Sequence, residues 1–302
     1  MSKTLISIVG PTAIGKTALS IALAKQFQAP IISCDSRQFY KETTIGTAVP
    51  TQKELAQADH YFIQNRSIFE DYNVGQFERD ALLKLDELFQ ENNVVIMVGG
   101  SGLYVDAVLN GLDYFPDVDP KIREQLNANL ESKGLTYLQA QLENLDPETY
   151  ATIAIDNPHR VIRALEVCIG SGETYSSFKN KPKAPRNFMS IKVGLTADRA
   201  IMYDRINQRV DIMLNEGLLE EAKQVYPNKH LNALQTVGYR ELFSYFDGTI
   251  SLEFAIEEIK KNTRRFAKRQ VTWFKKDSTT LWFDYLAAKK TIYEELEKKI
   301  NP

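Results

Sequence analysis

Cysteine is almost missing from this chain: Cys34 and Cys168 are the only two in 302 residues. Two distant cysteines make neither a zinc site nor a disulfide framework, so a reducing, cytoplasmic setting is expected. No run approaches the roughly 18 apolar residues of a membrane span, and no membrane partner is expected. Net charge is also nearly absent, with 37 Lys+Arg against 39 Asp+Glu. A chain so balanced has no bulk reason to bind a polyanion, and only local clustering could supply one. Internal repeats and low-complexity tracts are lacking, and the opening Met1-Ser2-Lys3-Thr4 shows no signal-peptide pattern. What is plentiful is apolar material, 43% of the chain, enough for one large or two modest domains.

Residues 5–9 form a short β-branched run that predicts a buried strand. Gly10 to Gly15 breaks it, and helical spacing follows over Lys16–Phe27 through Ala18, Leu19, Ala22 and Leu23. Ile31–Ser33 and Val94–Val98 are two further buried strands, with a helix over 72–90 whose Phe77, Ala81, Leu85 and Leu88 share one side. Strands alternating with helices predict a parallel sheet covered on both faces. After Gly111 the texture changes, with Pro116, Asp117, Asp119 and Pro120 marking a turn-rich boundary. Residues 121–171 carry only helical patterns, and a Lys/Pro-rich linker over 179–185 precedes a strand at 191–195. The expected architecture is an α/β core over 1–112 and 187–302, interrupted by an all-helical insertion over 113–186. Helices resume over 198–276, with a last strand at 281–283.

Gly10-Pro11-Thr12-Ala13-Ile14-Gly15-Lys16-Thr17 fits the phosphate-loop pattern G-x-x-x-x-G-K-[ST] at every fixed position, with a strand before it and a helix after it. The glycines let backbone N–H groups turn toward phosphate oxygens. The helix N-terminus adds positive potential and Lys16 a full charge. The Thr17 hydroxyl can ligate Mg²⁺ or a phosphate oxygen. Nucleotide hydrolysis normally also needs an Asp ending a later apolar strand. Here that strand ends in Gly99-Gly100-Ser101, which argues against an ATPase and leaves diphosphate binding intact. Asp35 directly follows the second strand, at the sheet edge that carries the phosphate loop. It can take a proton from an incoming nucleophile or cap the next turn, and position alone does not choose.

From Lys260 to Lys276 there are eight basic residues and no acid before Asp277. The pairs Lys260-Lys261, Arg264-Arg265 and Lys268-Arg269 recur every four residues beside a stripe of Ile256, Ile259, Phe266 and Trp273. A helix so built presents a positive edge, which a nucleic acid would meet. Arg160 and Arg163 share a helix face near its start, and Arg205 and Arg209 stand four apart; either of the latter could reach phosphate.

These stretches resemble the tRNA dimethylallyltransferases (tRNA isopentenyltransferases) of bacterial type. The matching segments are GPTAIGKT at 10–17, SCDSRQFY at 33–40, IGTAVP at 45–50, VGGSGLY at 98–104, DNPHRVIRALEV at 156–167, TVGYRE at 236–241 and AKRQVTWFK at 267–275. The resemblance implies a P-loop NTPase-like core and a helical insertion that contacts the anticodon stem-loop of tRNA. It implies transfer of a dimethylallyl group from dimethylallyl diphosphate to N6 of adenine 37, in a cytoplasmic monomer. By motif, Asp35 takes or orients the N6 proton, and Lys16, Thr17 and Arg209 handle the diphosphate, with Mg²⁺. Segments implied to touch tRNA are Asp35-Ser36-Arg37-Gln38, Ser101, Arg123, His159-Arg160-Val161-Ile162-Arg163, Gln235-Thr236-Val237-Gly238-Tyr239-Arg240 and Lys268-Arg269-Gln270-Val271-Thr272-Trp273-Phe274-Lys275.

The chemistry suits these parts. An adenine amine gains nucleophilic strength by losing a proton as it attacks, and the departing diphosphate needs cationic stabilisation. The base must leave its stack to react, and unpaired anticodon loops allow that. Three alternatives compete: a P-loop kinase of a small metabolite, an adenylate isopentenyltransferase acting on free nucleotides, and a non-enzymatic RNA-binding module. The basic helix and the late motifs tell against the first, the helical insertion against the second, and the phosphate loop beside an acid against the third.

Overall fold

The computed structural model describes residues 3–301. The chain runs β1 (Thr4–Val9), α1 (Lys16–Phe27), β2 (Ile31–Ser33), α2 (Gln52–Leu55), β3 (His60–Tyr61), α3 (Val74–Glu91), β4 (Val94–Val98) and α4 (Gly102–Asn110). It continues through α5 (Pro120–Lys133), α6 (Leu135–Leu145), α7 (Pro147–Thr152), α8 (Pro158–Ser171) and β5 (Met189–Thr196). Last come α9 (Arg199–Asn215), α10 (Leu218–Val225), α11 (Tyr239–Phe246), α12 (Leu252–Phe274), β6 (Leu281–Asp284) and α13 (Lys289–Ile300).

One parallel sheet has the order β3-β2-β4-β1-β5-β6. All six residues of β1 are buried, as expected of a central strand covered on both faces. Alternation sends Leu5, Val9, Val95 and Met97 to one face, where Phe77 and Leu85 of α3 and Val105 and Val108 of α4 cover them. Ile6, Ile8, Ile96 and Val193 go to the other, against Leu19 and Leu23 of α1 and Ile292 and Leu296 of α13. The C-terminal ends of β1, β2 and β4 therefore meet at one edge. There the Cys34 N–H donates to the Val98 carbonyl at 2.8 Å, and the Gly99 N–H to the Ile8 carbonyl at 3.2 Å.

Helix α3 begins after Asn73, whose side chain accepts from the N–H groups of Gly75 and Gln76 while Gln76 reaches back to the Asn73 N–H. That capping box, worth about 1 kcal/mol, explains a start slightly later than the apolar pattern suggests. Helices α2, α4 and α13 and the two-residue β3 are not predicted by the sequence. Four- and two-residue elements carry too little periodicity, and α4 follows Gly99-Gly100-Ser101 so closely that its start reads as loop. Among the described residues no helix is long and apolar enough to cross a membrane.

Gly111–Pro185 forms a second compact unit, holding α5 to α8. Its core is Leu126, Leu138, Leu142, Val161, Ile162, Ala164 and Leu165. Buried Asp146 joins α6 to α7, accepting from the N–H groups of Thr149 and Ser176 at 2.9 and 2.7 Å. Arg186, assigned to the insertion by its sequence, sits in the larger unit instead. Its guanidinium bonds the carbonyls of Val108 and Ala107 at 2.8 and 2.7 Å and pairs with Glu78 at 2.7 Å. Those carbonyls lie at the end of α4 and would otherwise lack partners, which ties Arg186 there.

Candidate active site

The phosphate loop turns through left-handed φ at Gly10 (140°), Ala13 (62°) and Gly15 (107°). At Gly10 a side chain is also barred by packing, since a Cβ would stand 2.6 Å from the Leu195 carbonyl oxygen of β5. Ile14 is 2% exposed and anchors the loop in the α1-side core. Lys16 Nζ lies across the loop, donating to the carbonyls of Gly10 and Pro11 at 3.1 and 2.8 Å. Burial lowers its pKa to about 8; the negative charge of Asp35 opposes that drop and Arg209 adds to it. The Thr17 hydroxyl has no hydrogen-bond partner among the described residues and lines the cavity that Lys16 also lines.

Two cavities adjoin here. One, of about 740 Å³, is walled by Lys16, Thr17, Thr44, Glu54, Arg205, Gln208 and Glu216. The other, of about 580 Å³, is walled by apolar Leu103, Tyr104, Val210, Leu218, Val237, Ile259, Phe266 and Trp273, with Arg37, Arg240 and Arg269. Thr12, Ala13, Asp35, Thr47, Ala48, Arg209 and Met213 line both. Asp35 Oδ1 accepts the Arg37 N–H at 3.1 Å, so the turn-capping role is real. Its Oδ2 has no hydrogen-bond donor among the described residues.

The two α9 arginines differ. Arg205 Nε donates to the Ala13 carbonyl at 2.9 Å, and its guanidinium lies 5.1 Å over the Tyr285 ring, so it braces the phosphate loop. Arg209 makes no hydrogen bond or ion pair among the described residues. Burial pulls its pKa down, against the pull of Asp35, Glu54 and Glu216.

The Thr43–Ala48 stretch forms the wall between the cavities and is gripped from two sides. Glu221 on α10 accepts the N–H groups of Thr44, Ile45 and Gly46 at 2.8, 2.8 and 2.9 Å, and the Tyr239 hydroxyl at 2.6 Å. Gly46 lies flat on the Tyr239 ring; a Cβ there would meet its hydroxyl oxygen at 2.6 Å. From the other side Gln38 Nε2 donates to the carbonyls of Thr47 and Ala48 at 3.3 and 2.8 Å. Thus the separate motifs IGTAVP and TVGYRE meet in space. Glu221 carries no local sequence signal and was not anticipated.

Ser36 and Ser101 are joined, the Ser36 N–H donating to Ser101 Oγ at 3.1 Å and the two hydroxyls sharing a 3.1 Å bond. With Arg37, Gln235, Thr236, Val237, Gly238 and Arg240 they line the apolar cavity. Tyr239 does not: it is fully buried under the loop it supports.

Helix α12 departs from its sequence reading. Its buried face is Ala255, Ile259, Ala267, Gln270 and Phe274, whereas Phe266 and Trp273 are 38% and 37% exposed and wall the cavity. Trp273 lies against Gly102, and its indole N–H donates to Asp106 at 2.8 Å. The first two basic pairs are occupied. Lys260 pairs with Asp211 at 2.8 Å and Glu257 at 3.5 Å, and Lys261 pairs with Glu258. Arg264 bonds Asn207 at 2.6 Å, and Arg265 bonds Asn262 at 3.3 Å. Packing of α12 on α9 holds Lys260 and Arg264, so the exposed positive surface contracts to Arg265, Lys268, Arg269, Lys275 and Lys276. Thr272 is exposed and Val271 half-buried against the Met202 and Ile206 cluster. Buried Phe274 presents no side chain to an RNA strand, and Gln270, 6% exposed, lies in the wall of the apolar cavity.

Within the second unit, His159 and Arg160 are exposed at the start of α8. Val161 and Ile162, expected at an RNA surface, are core residues at 0% and 2% exposure. Helical period puts them on the face opposite solvent. Arg123 forks onto buried Glu166 at 2.6 and 3.1 Å, and Arg163 reaches the same carboxylate at 3.5 Å while lying over Phe115.

A family model described as IPP transferase matches residues 38–277. A tRNA dimethylallyltransferase of Flavobacterium johnsoniae is 64% identical, over 99% of each chain. One from Flavobacterium psychrophilum is 63% identical, over 98% of this chain and 99% of its own. Among solved structures, the full-length tRNA isopentenylpyrophosphate transferase of Bacillus halodurans superposes with a TM-score of 0.74 at 37% identity, over 99% and 97% of the two chains. A eukaryotic dimethylallyltransferase acting on tRNA superposes with a TM-score of 0.80 at 27% identity, over 99% of this chain and 78% of its own.

Proposed function

This chain belongs to the IPP transferase family, and we propose on that premise that its two adjoining cavities receive the two substrates of one transfer. It is a tRNA dimethylallyltransferase. A dimethylallyl group passes from dimethylallyl diphosphate to N6 of adenine 37 of tRNA, and diphosphate is released. The observation that carries the reading is that Asp35 and Arg209 line both cavities.

In this reading the polar cavity takes the diphosphate, with Lys16, Thr17 and Arg209 on its oxygens. The apolar cavity takes the flipped adenine, beside Phe266 and Trp273. The N6 amine attacks the allylic carbon, the N6–C bond forms and the C–O bond to diphosphate breaks. Asp35 receives the N6 proton on its unpaired Oδ2. Arg209, desolvated and unpaired, meets charge that grows on the leaving oxygens, where a preorganised cation acts most strongly. The exposed residues Lys268, Arg269 and Lys275, with His159 and Arg160 of the helical unit, serve the phosphates of the anticodon stem-loop.

Magnesium belongs to this reading. No group of three or more His, Cys, Asp or Glu residues among the described residues could hold an ion alone. A hydroxyl is a hard oxygen ligand suited to Mg²⁺, so Thr17 fits an ion carried mainly by the diphosphate. When bound, the ion neutralises charge on the leaving group. The enzyme is read as cytoplasmic and monomeric.

The test is incubation with undermodified tRNA and labelled dimethylallyl diphosphate, with ATP and small acceptors in a parallel tube. Label in tRNA at adenine 37 is expected. Phosphoryl transfer from ATP without tRNA labelling would overturn the reading.

A further inference from the structure

Gln270 lies on α12, three residues before Trp273 and one after Arg269, among side chains that wall the apolar cavity. Its own side chain is 6% exposed and lies in the wall of the same cavity, tied down at both ends of its amide. Its Oε1 accepts the Thr12 N–H of the phosphate loop at 2.9 Å, and its Nε2 donates to the Gly100 carbonyl at 2.9 Å. One partner can only donate and the other can only accept, so a single orientation of the amide satisfies both. Gly100 has no room for a side chain: a Cβ would stand 2.1 Å from Gln270 Nε2. The loop has three such braces, the others being Arg205 on Ala13 and Lys16 on Gly10 and Pro11. Lys16 must release its carbonyls to meet a phosphate, whereas the Gln270 contact is to a backbone N–H at the cavity wall.

We infer that Gln270 is a positioning residue for the diphosphate, fixing Thr12 and the turn after β4 from the helix that also walls the cavity for the base. Both ends of its amide are bonded to backbone, so it acts through Thr12 and Gly100 and not by holding a substrate. Glutamate in its place would keep the acceptor for Thr12 but set a carboxylate against the Gly100 carbonyl. Leucine would leave the buried Gly100 carbonyl and the half-buried Thr12 N–H unpaired, a loss that reaches the loop directly. This inference rests on the phosphate-loop reading above.

The experiment measures three quantities for wild type and for Gln270→Leu: KM for dimethylallyl diphosphate, Ki for inorganic diphosphate, and Kd for an unmodified anticodon stem-loop RNA. Both diphosphate constants are expected to rise about tenfold, with RNA affinity within twofold of wild type. Gly100→Ala should do the same, by pushing the amide off Thr12, and it carries the test if Gln270→Leu does not fold. The double variant should be no worse than the worse single one, because both break one contact. Weakened RNA binding with unchanged diphosphate constants would make Gln270 an RNA contact. Unchanged constants throughout, or strictly additive losses, would make it a space-filler; either result overturns the inference. Wild-type protein that neither transfers the prenyl group nor binds diphosphate would instead overturn the reading beneath it.

Discussion

Diphosphate binding should take up a proton, and the structure sets the window. In the free protein the Lys16 amine has its pKa lowered to about 8, chiefly by burial, with Asp35 opposing and Arg209 assisting the drop. A diphosphate beside it adds negative charge that returns the pKa upward. Binding therefore favours the protonated amine, and affinity must fall as pH rises through the free-state value. With that pKa the amine is about 90% protonated at pH 7 and about 10% at pH 9, so affinity should weaken about tenfold, or about 1.4 kcal/mol. With dimethylallyl diphosphate as the ligand, the last phosphate ionisation has a pKa of about 6 and is nearly complete above pH 7. Its remainder adds negative charge as pH rises, which would strengthen binding and does not mimic the effect. Titration calorimetry at pH 8 in two buffers of different ionisation enthalpy should show uptake of about half a proton per diphosphate bound, rising toward one at pH 9. In Lys16→Met, uptake should vanish and affinity become flat with pH. Affinity that is unchanged between pH 7 and pH 9, or a slope that survives in Lys16→Met, would refute the argument.

Asp35→Ala should slow single-turnover transfer by on the order of 10²–10⁴ while tRNA affinity stays within a fewfold; wild-type chemistry with weakened binding would leave Asp35 only its cap on Arg37. Arg209→Ala should lower kcat more than it raises the Kd of the allylic substrate, because its charge answers one that develops during departure. Arg205→Ala should mainly lower thermal stability through the lost brace on Ala13, and a larger kcat loss there than at Arg209 would exchange the two assignments. Lys268→Gln with Arg269→Gln should weaken tRNA binding and reduce the slope of log K against log salt by about two contacts, at roughly 0.7–0.9 each. Lys260→Gln with Arg264→Gln should leave that slope nearly unchanged, because α9 already holds both side chains; a reduction equal to that at 268 and 269 would return the whole edge to RNA binding.

The fold was legible wherever burial imposed a period. The runs at 31–33 and 94–98 are apolar but for Ser33 because parallel strands are covered on both faces, and α1 starts at Lys16, where the phosphate motif's last two residues open the helix. Helix α3 was legible from Phe77, Ala81, Leu85 and Leu88, all of which the structure buries. In α12 the same reasoning put Phe266 and Trp273 in the core stripe. An aromatic side chain at a cavity wall and one in a core obey the same spacing, so periodicity cannot separate them. The buried positions that do separate them, Ala255, Ala267 and Gln270, are small or polar and give no hydrophobic signal.

The site shows a second limit, which lies in partners rather than residue types. Basic pairs four apart are visible in sequence; that Asp211 and Asn207 on α9 neutralise or occupy one edge is visible only once α9 packs there. Glu221 is the sharper case. Three consecutive N–H groups, from Thr44 to Gly46, turn toward one point next to the phosphate loop, and such a concavity is a natural anion site. A diphosphate could settle there instead of against Lys16. Glu221 fills the concavity with the protein's own carboxylate, bonded to all three donors and to the Tyr239 hydroxyl. Its charge would also repel a phosphate at that place. The wall shared by the two cavities is thereby made rigid and closed to anions, and within the polar cavity the phosphate loop with Arg209 remains the open cationic seat. On the proposed reading, one glutamate, unremarkable in its own helix, thus keeps the leaving group with the phosphate loop.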